Sequence, residues 1–550
     1  MLSRMRARVR AAATIATACA VLAATVGCGP VSSSVGADPE HVVSIAVTEP
    51  GSPITPEHAS DPAVQRILPA IASGLVRLEP TGAPILELAE SIESADNTRF
   101  VVTLDPEARF SNGEPLDSAA FVEAWRERAR FGDALTDPTG FADFAGVADF
   151  VSSIDSDEAD DVEDPQFDLV ESGALEIVDE STFAVTLEEP DASFARRLAQ
   201  PLFLPLPATA FEDPAAFDEA PAGAGPYMLA DADSWVPGDR LDLIPNPNYS
   251  GTRTIQNSGV SFRFYRTSTI AFAELLAGEI DVVDELPDRT DGSLAALLHG
   301  RVSEAALPTL VSLVPPRSVG NLAGEEGILR RAALSHTVDR AILVRDLTNG
   351  AAAPALGFLP VSFGVSGNED AWTDRANDEL ARSLWRQAND YSDWEGALTI
   401  AVVAGTPEVR LATEIGERFD AVLNLDVQVV AFGSAEELAA ALGDPDEPLT
   451  AFTLRTAAVD TGSLGAALST VLPSSLTTAS IRQRIEQAAT ASDDDRATVF
   501  AVAALGELWE TVPIIPIWSP TIRSGYAPGV TGVEHEWGAV LDYTAIVAAP

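Results

Sequence analysis

The sequence contains no lysine, and its 34 basic residues are all arginine, against 83 aspartates and glutamates. The formal net charge is −49 over 550 residues. Nucleic-acid binding needs clustered cations that neutralise phosphates, so this balance argues against DNA or RNA as a partner. A strongly acidic surface keeps a protein in solution by mutual repulsion; attraction of cationic ligands is the alternative reading.

Cysteine is almost absent, with only Cys19 and Cys28. Cys19 lies in the apolar segment 11–26, which follows four arginines and is typical of a signal peptide, being too short and badly flanked for a membrane span. Removal of residues 1–27 leaves Cys28 alone, which excludes an intrachain disulfide. The residues before Cys28 resemble a bacterial lipobox, although Thr25 replaces the usual Leu. We expect Cys28 to be lipidated and to anchor the chain to the outer face of the membrane; ordinary cleavage near Gly27 is the alternative.

Motifs of common enzymes are also missing: the sequence has no G-x-S-x-G, no H-E-x-x-H, no Walker loop and no paired C-x-x-C. Its five histidines, at positions 41, 58, 299, 336 and 535, are isolated along the chain. A dedicated nickel site, which favours imidazole donors, is therefore disfavoured, and binding of a metal chelate is the alternative. The acidic run 153–165 lacks the central Gly and closing Glu of a calcium loop, and no flanking helices are predicted. We expect no enzymatic activity, no cofactor and no metal site.

Residues 98–129 show the clearest local pattern, a strand followed by a tight turn and a helix. Phe100, Val102 and Leu104 alternate as in a half-buried strand, and the Asn-Gly pair that ends at Gly113 is a strong turn signal. Asp117 stands at the position of a helix N-cap. Residues 121, 124, 125 and 128 then follow at helical spacing.

Further patterns indicate an α/β fold in a chain long enough for two or three domains. Residues 398–404, 407–423 and 427–431 read as a β-α-β unit, and residues 175–178 and 182–187 read as a hairpin. The segment 41–47 reads as a strand. Ligands of α/β proteins lie beyond the carboxyl ends of strands, so Thr48 and Glu49 are candidate cleft residues; a surface turn is the alternative.

Four segments, in order, resemble the family 5 extracytoplasmic solute-binding proteins, in their actinobacterial type. These are the oligopeptide, dipeptide and nickel receptors of ABC importers. The resemblance rests on residues 110–119 (FSNGEPLDSA), 223–227 (GAGPY), 241–249 (LDLIPNPNY) and 329–340 (LRRAALSHTVDR), with weaker similarity from about residue 42 to 532. The chain departs from the pattern at Ala120, where the family has Asp, so a reciprocal capping contact with Asp117 is lost. Residues 329–340 are expected to form one helix, with Asp339 and Arg340 near its end.

The resemblance implies an α/β, two-lobed, periplasmic-binding-protein-like fold with an extra N-terminal subdomain, mixed sheets and a hinge between the lobes. It implies that the chain acts as a monomer outside the cytoplasm, captures peptides or similar small solutes, and delivers them to the permease subunits of an ABC transporter. The expected boundaries are a signal peptide at 1–27, a lipidated tether at 28–40, lobe I at 41–66, 196–307 and 508–550, its extra subdomain at 67–195, and lobe II at 308–507.

In this family a segment similar to W-x-x-D-Y-x-D-P supplies an Asp that pairs with the α-amino group of the peptide. The corresponding segment here is 452–460, which has no Trp and only Asp460 as a candidate. The resemblance therefore makes Thr453, Leu454, Arg455 and Asp460 candidate ligand-binding residues. Arg455 suits a carboxylate or a phosphate, and a loop ion pair is the alternative for Arg455 and Asp460. Because segment 452–460 lacks most of the family's motif residues, a second interpretation stays open. In it the chain is an envelope-associated lipoprotein that uses the same fold as a regulator or scaffold, without transport.

Overall fold

The computed structural model describes residues 42–130, 135, 140–154, 166–287, 294–316, 320–365, 375–444, 449–459, 464–491 and 494–549. The predicted signal segment and tether, with Cys28, lie outside this part of the chain, as do Asp460 and most of the acidic run. Among the helices of the described residues, none is both long enough and apolar enough to cross a membrane.

The strands of the described residues form a 13-stranded sheet, a four-stranded sheet and two two-stranded sheets. In chain order they are β1 (Val43–Val47), β2 (Val76–Leu78), β3 (Pro84–Leu86), β4 (Ala89–Ser94), β5 (Arg99–Leu104), β6 (Leu175–Asp179), β7 (Thr182–Thr186), β8 (Tyr227–Leu229), β9 (Trp235–Val236), β10 (Arg240–Pro245), β11 (Val260–Phe264), β12 (Val282–Val283), β13 (Val302–Ala306), β14 (Thr309–Val314), β15 (Ala352–Pro354), β16 (Leu398–Val403), β17 (Val427–Phe432), β18 (Phe452–Ala458), β19 (Ile515–Tyr526), β20 (Val530–Thr531) and β21 (Val547–Ala548).

The helices are α1 (Pro62–Ile71), α2 (Ser118–Ala129), α3 (Val147–Ile154), α4 (Phe194–Arg197), α5 (Ala208–Glu212), α6 (Pro214–Glu219), α7 (Ser268–Ala277), α8 (Leu294–Leu297), α9 (Gly324–Thr337), α10 (Arg340–Leu347), α11 (Asp378–Asn389), α12 (Glu408–Leu423), α13 (Ala435–Gly443), α14 (Leu464–Val471), α15 (Ala479–Ala489) and α16 (Asp494–Thr511). Asp117 caps α2 as predicted, because its carboxylate accepts a hydrogen bond from the Ala120 N–H at 3.1 Å.

The large sheet consists of two half-sheets that share β19. The second half-sheet, β14 to β18, joins β19 through β14, which pairs with Ile515–Trp518, and through β15, which pairs with Trp518–Pro520. The first half-sheet, β1 with β8 to β13, joins the later residues of β19 through β12 and β13. Parallel and antiparallel pairs occur in both half-sheets. The predicted two-lobed α/β architecture with mixed sheets is confirmed.

The four-stranded sheet, in the order β4-β5-β7-β6, packs with α2 around an aromatic core. The Trp125 ring lies 5.1 Å from that of Phe203, and its Nε1–H donates to the Phe203 carbonyl at 2.9 Å. The same core includes Ala224. Residues beyond 195 thus help to bury the subdomain, and the boundary at 195 stays a prediction.

Two local predictions differ from the structure. Helix α9 ends at Thr337, and Asp339 instead caps α10, where its side chain accepts from the Ile342 N–H at 3.0 Å. The prediction of one helix through residue 340 was therefore wrong, because the residue that looked terminal starts the next helix. Helix α3, which the pattern did not predict, ends at Ile154 inside the acidic run.

Candidate functional site at the junction of the two half-sheets

The pairing pattern fixes where the carboxyl ends of the strands lie. Strands β13 and β14 follow each other and both run antiparallel to β19, so the three strands form a ribbon that passes from one half-sheet into the other. β1 is parallel to β12, which is antiparallel to β19, so the carboxyl end of β1 points towards the second half-sheet. β18 is antiparallel to β14 and parallel to β16, so both of their carboxyl ends point back towards the first half-sheet. Carboxyl ends from both half-sheets therefore face the junction, where α/β proteins bind ligands.

Thr48 and Glu49 lie together at the carboxyl end of β1, and both are exposed. The Glu49 Oε1 accepts a hydrogen bond from the Gly238 N–H at 2.6 Å, which holds the loop after β1 against the turn before β10. The structure thus places both residues at the junction side of the first half-sheet. Their role in ligand binding stays a prediction.

The predicted residues of the second half-sheet occupy a different position. Thr453 pairs with Val314, at the end of β18 that is distant from the junction, and Leu454 packs against the core of this half-sheet. Arg455 is half-buried, and its Nη2 donates to the Thr470 carbonyl at 2.8 Å, in the last turn of α14. This contact satisfies a helix-terminal carbonyl with a cation, which is a structural use of the arginine.

The carboxyl end of β18 is formed by Ala458, which is exposed, and Val459, whose N–H donates to the Pro308 carbonyl at 2.8 Å. Asp460 follows outside the described residues. Strands β12, β19 and β14 separate β1 from β18 in the sheet order. The structure therefore brings Thr48 and Glu49 together, but it does not bring Thr453, Leu454 or Arg455 to the same end of the sheet.

A hydrogen-bond chain at the ribbon was not predicted. Ser524 donates to the Asp284 carbonyl at 2.6 Å and lies 2.9 Å from the Nε2 of His535, while Ser303 lies 3.1 Å from its Nδ1. Because the Ser524 hydroxyl donates its proton to the Asp284 carbonyl, its oxygen accepts the hydrogen bond from His535. The ring proton of His535 is therefore assigned to Nε2. Burial and the nearby Arg66 lower the pKa of His535 to about 4, so the ring is neutral at neutral pH.

Asp284 is the second unpredicted residue, and it lies directly after β12. It is 3% exposed, and its Oδ2 lies 3.6 Å from the Arg66 Nε. Among the described residues its Oδ1 has no hydrogen-bond partner. Burial raises the pKa of this carboxyl to about 6, against the opposing attraction of Arg66. The sequence contains a signal that could have predicted Asp284 as a candidate site residue. An acidic residue directly after a short buried strand lies at the carboxyl end of that strand.

A cavity of about 320 Å³ lies beside this chain of hydrogen bonds. It is lined by Pro80, residues 303–306 of β13, Ser362 and residues 534–538. The rings of Phe363 and Trp537 meet next to it at 5.1 Å. Among the described residues, no cluster of His, Cys, Asp or Glu side chains suits a metal ion. The candidate site thus consists of the carboxyl ends of strands from both half-sheets and a cavity beside the ribbon.

Comparisons with known proteins agree with this geometry. The sequence pattern of the family described as "Bacterial extracellular solute-binding proteins, family 5 Middle" matches residues 83–467. The periplasmic murein peptide-binding protein MppA of Escherichia coli K12 is 23% identical over 462 residues, which cover 80% of this chain and 83% of MppA. The periplasmic oligopeptide-binding protein OppA of Salmonella typhimurium is 25% identical over 334 residues, and this alignment covers 58% of the chain and 57% of OppA.

The fold is also that of a solved relative. MppA in its unliganded open form superposes with a TM-score of 0.75 at 18% identity, covering 93% of this chain and 98% of that structure. The family pattern covers well over half of the chain. The chain belongs to the bacterial extracellular solute-binding proteins of family 5.

Proposed function

We propose that the chain is the substrate-binding lipoprotein of an ABC importer, which captures peptides or similar small solutes between two lobes and delivers them to the permease. The observation that carries the proposal is the meeting of carboxyl ends from both half-sheets at the junction. Relatives named for binding murein peptides and oligopeptides support peptides as the ligand class.

Ligand capture follows from the ribbon. Within the described residues, β13–β14 and β19 are the strands that pass between the half-sheets, so bending near Leu307 and Pro520 moves one half-sheet towards the other. Closure brings the loop of Thr48 and Glu49 towards Ala458. An extended peptide there gains main-chain hydrogen bonds from exposed backbone, and it stabilises the closed state by contacting both sides.

The periplasmic relatives and the signal-peptide pattern of residues 1–27 support a location outside the cytoplasm. We propose that Cys28 carries the lipid anchor and that residues 28–40 form the tether to the outer face of the membrane. The predicted boundaries of lobe I, its extra subdomain and lobe II are part of the same proposal.

Native mass spectrometry of the soluble protein that starts after Cys28, purified without refolding, tests the proposal. We expect a ladder of co-purified masses that resolves into peptides on denaturation. Ala458→Arg places a large cation at the exposed end of β18 and is expected to reduce that ladder. Ala440→Arg, on the exposed surface of α13, is the control and should retain it.

A single apo mass that stays unshifted by a random peptide pool contradicts peptide binding. If that result is found, the second function, an envelope-associated regulator or scaffold without transport, is favoured by one observation. Arg455 is the one charged residue of the segment 452–459 and already donates to the carbonyls that end α14, so this described segment offers no unengaged charge for a peptide terminus.

A further inference from the structure

The far end of the large sheet, opposite the first half-sheet, has an unprotected edge. β17 is the terminal strand of the order, and no strand of the described residues pairs with its outer side. Its sequence, VQVVAF, contains no charge, proline or glycine. Proteins usually protect edge strands with charged residues, proline or bulges, so an uncharged edge of six residues is a template for an added strand.

The register shows which backbone groups are free to pair. The N–H of Leu398 donates to the Asp426 carbonyl at 2.7 Å, and that of Ala404 donates to the Phe432 carbonyl at 2.7 Å. Bonded residues alternate in a parallel ladder, so the even-numbered residues of β17 bond to β16. The N–H and C=O groups of Val427, Val429 and Ala431 therefore point outward. They can pair with one extended segment.

A groove runs beside this edge, between β17 and α12. Its volume is about 480 Å³, and Val427 and Val429 are among the residues that line it. Three acidic residues are also among those that line the groove, Glu417, Asp420 and Asp426. An added strand presents alternate side chains to one face, so every second residue of such a segment would reach the groove.

We propose that the outer edge of β17 is a docking site for an extended, arginine- or lysine-rich segment of a partner protein, which binds as an added strand. Main-chain pairing supplies affinity, and the three carboxylates select basic side chains. A second copy of this chain is a poor occupant, since each copy carries a net charge of −49 and the two grooves would oppose their carboxylates. The proposal goes beyond solute capture, because β17 lies four strands away from β19.

The first test uses the blocked hexapeptide acetyl-Arg-Thr-Arg-Val-Arg-Thr-amide as the probe, with hydrogen–deuterium exchange read at single residues of the full soluble chain. We expect the N–H groups of Val427, Val429 and Ala431 to exchange fast in the free protein and to become protected with the probe. The N–H groups of Gln428 and Val430 already bond to β16 and should change little. Binding should weaken with added salt.

The matched variants separate main-chain pairing from charge. Val429→Pro removes one outward N–H without removing a ladder bond, which an edge strand tolerates, and should weaken probe binding at least about tenfold. Val429→Ala keeps the N–H and should bind nearly as well as the native chain. Glu417→Gln with Asp420→Asn should weaken binding and reduce its salt dependence. A probe that is N-methylated at alternate residues keeps its charge and should not bind.

Three results overturn the proposal. The N-methylated probe binds as well as the parent probe, or protection occurs only at residues 48–49 and 457–459, or sedimentation shows a dimer that Val429→Pro abolishes. The last result would identify a second copy as the occupant. Val429→Pro should keep any peptides that co-purify with the native chain, so failure at β17 is distinguishable from failure of solute binding at the junction.

Discussion

At the scale of single residues, His535 links the two strands of the ribbon through Ser303 and Ser524 while it is 6% exposed. Its pKa in the folded chain, about 4, lies below the ordinary value of 6.5. The folded state therefore binds fewer protons, and the stability that neutral His535 contributes is complete above pH 6.5 and is lost as the pH falls towards 4.

The variant His535→Gln should abolish this loss. Between pH 7 and pH 4 the native chain should lose about 3 kcal/mol more free energy of unfolding than the variant, measured by urea titration at each pH. His299→Asn, at an exposed position, is the control and should follow the native curve. Parallel curves for the native chain and His535→Gln would show that His535 is not the titrating group.

Asp284 titrates in the opposite sense. Its pKa is raised to about 6 from 3.8, so the folded state holds the proton more tightly, and stability is lost as the pH rises from about 4 through 6. Asp284→Asn should therefore raise the free energy of unfolding by up to about 3 kcal/mol at pH 8 and change it little at pH 4. The exposed Glu279→Gln should change neither. A destabilised Asp284→Asn at pH 8 would mean that the ion pair with Arg66 outweighs desolvation.

One substitution distinguishes whether Arg455 stabilises the fold or contacts the ligand. Arg455→Met removes the donors to the carbonyls of Thr470 and Val471 and should lower the free energy of unfolding by about 1–3 kcal/mol. The mass ladder of co-purified solutes should stay unchanged. Arg410→Met, on the exposed side of α12, should alter stability by less than about 0.5 kcal/mol. If Arg455→Met lost the co-purified solutes while its free energy of unfolding stayed at the native value, Arg455 would be a ligand-binding residue.

At the scale of elements, β5 and α2 were predictable because every signal is local. Phe100, Val102 and Leu104 are buried on alternate positions of β5, and Asp117 caps α2. The boundary at Asp339 was predicted wrongly since a cap and a helix end use similar polar residues. The hydrogen-bond chain through His535 was not predictable because its members come from the residue after β12, from β13, from β19 and from the segment after β19, which no short motif connects.

The contribution of one such local signal to stability can be measured at the N-cap of α2. Asp117→Ala removes the acceptor of the Ala120 N–H and should lower the free energy of unfolding by about 1 kcal/mol. Asp117→Asn retains a side-chain acceptor and should cost only a few tenths of that amount. Equal losses in both variants, measured by urea unfolding, would show that the carboxylate charge matters more than the hydrogen bond.

At the scale of the whole molecule, the order of the family motifs predicted the two-lobed fold, and the strand directions then located the junction. The direction of β18 could not be read from its sequence, because a strand has the same side-chain alternation in either direction. Thr453 was consequently predicted to bind ligand, and the structure places it at the end of β18 that is distant from the junction.

The shared strand also determines when the large sheet can be completed. Every other strand of the large sheet precedes β19 in the sequence, and β12, β13, β14 and β15 all pair with it. Neither half-sheet is complete before residues 515–526 have been made, and pairing over such sequence distances is slow. The large sheet therefore cannot be completed until synthesis of the chain is nearly finished. A chain that stops at residue 514 should lose the cooperative urea transition of the large sheet, and a native-like transition in it would disprove this dependence on the last long strand.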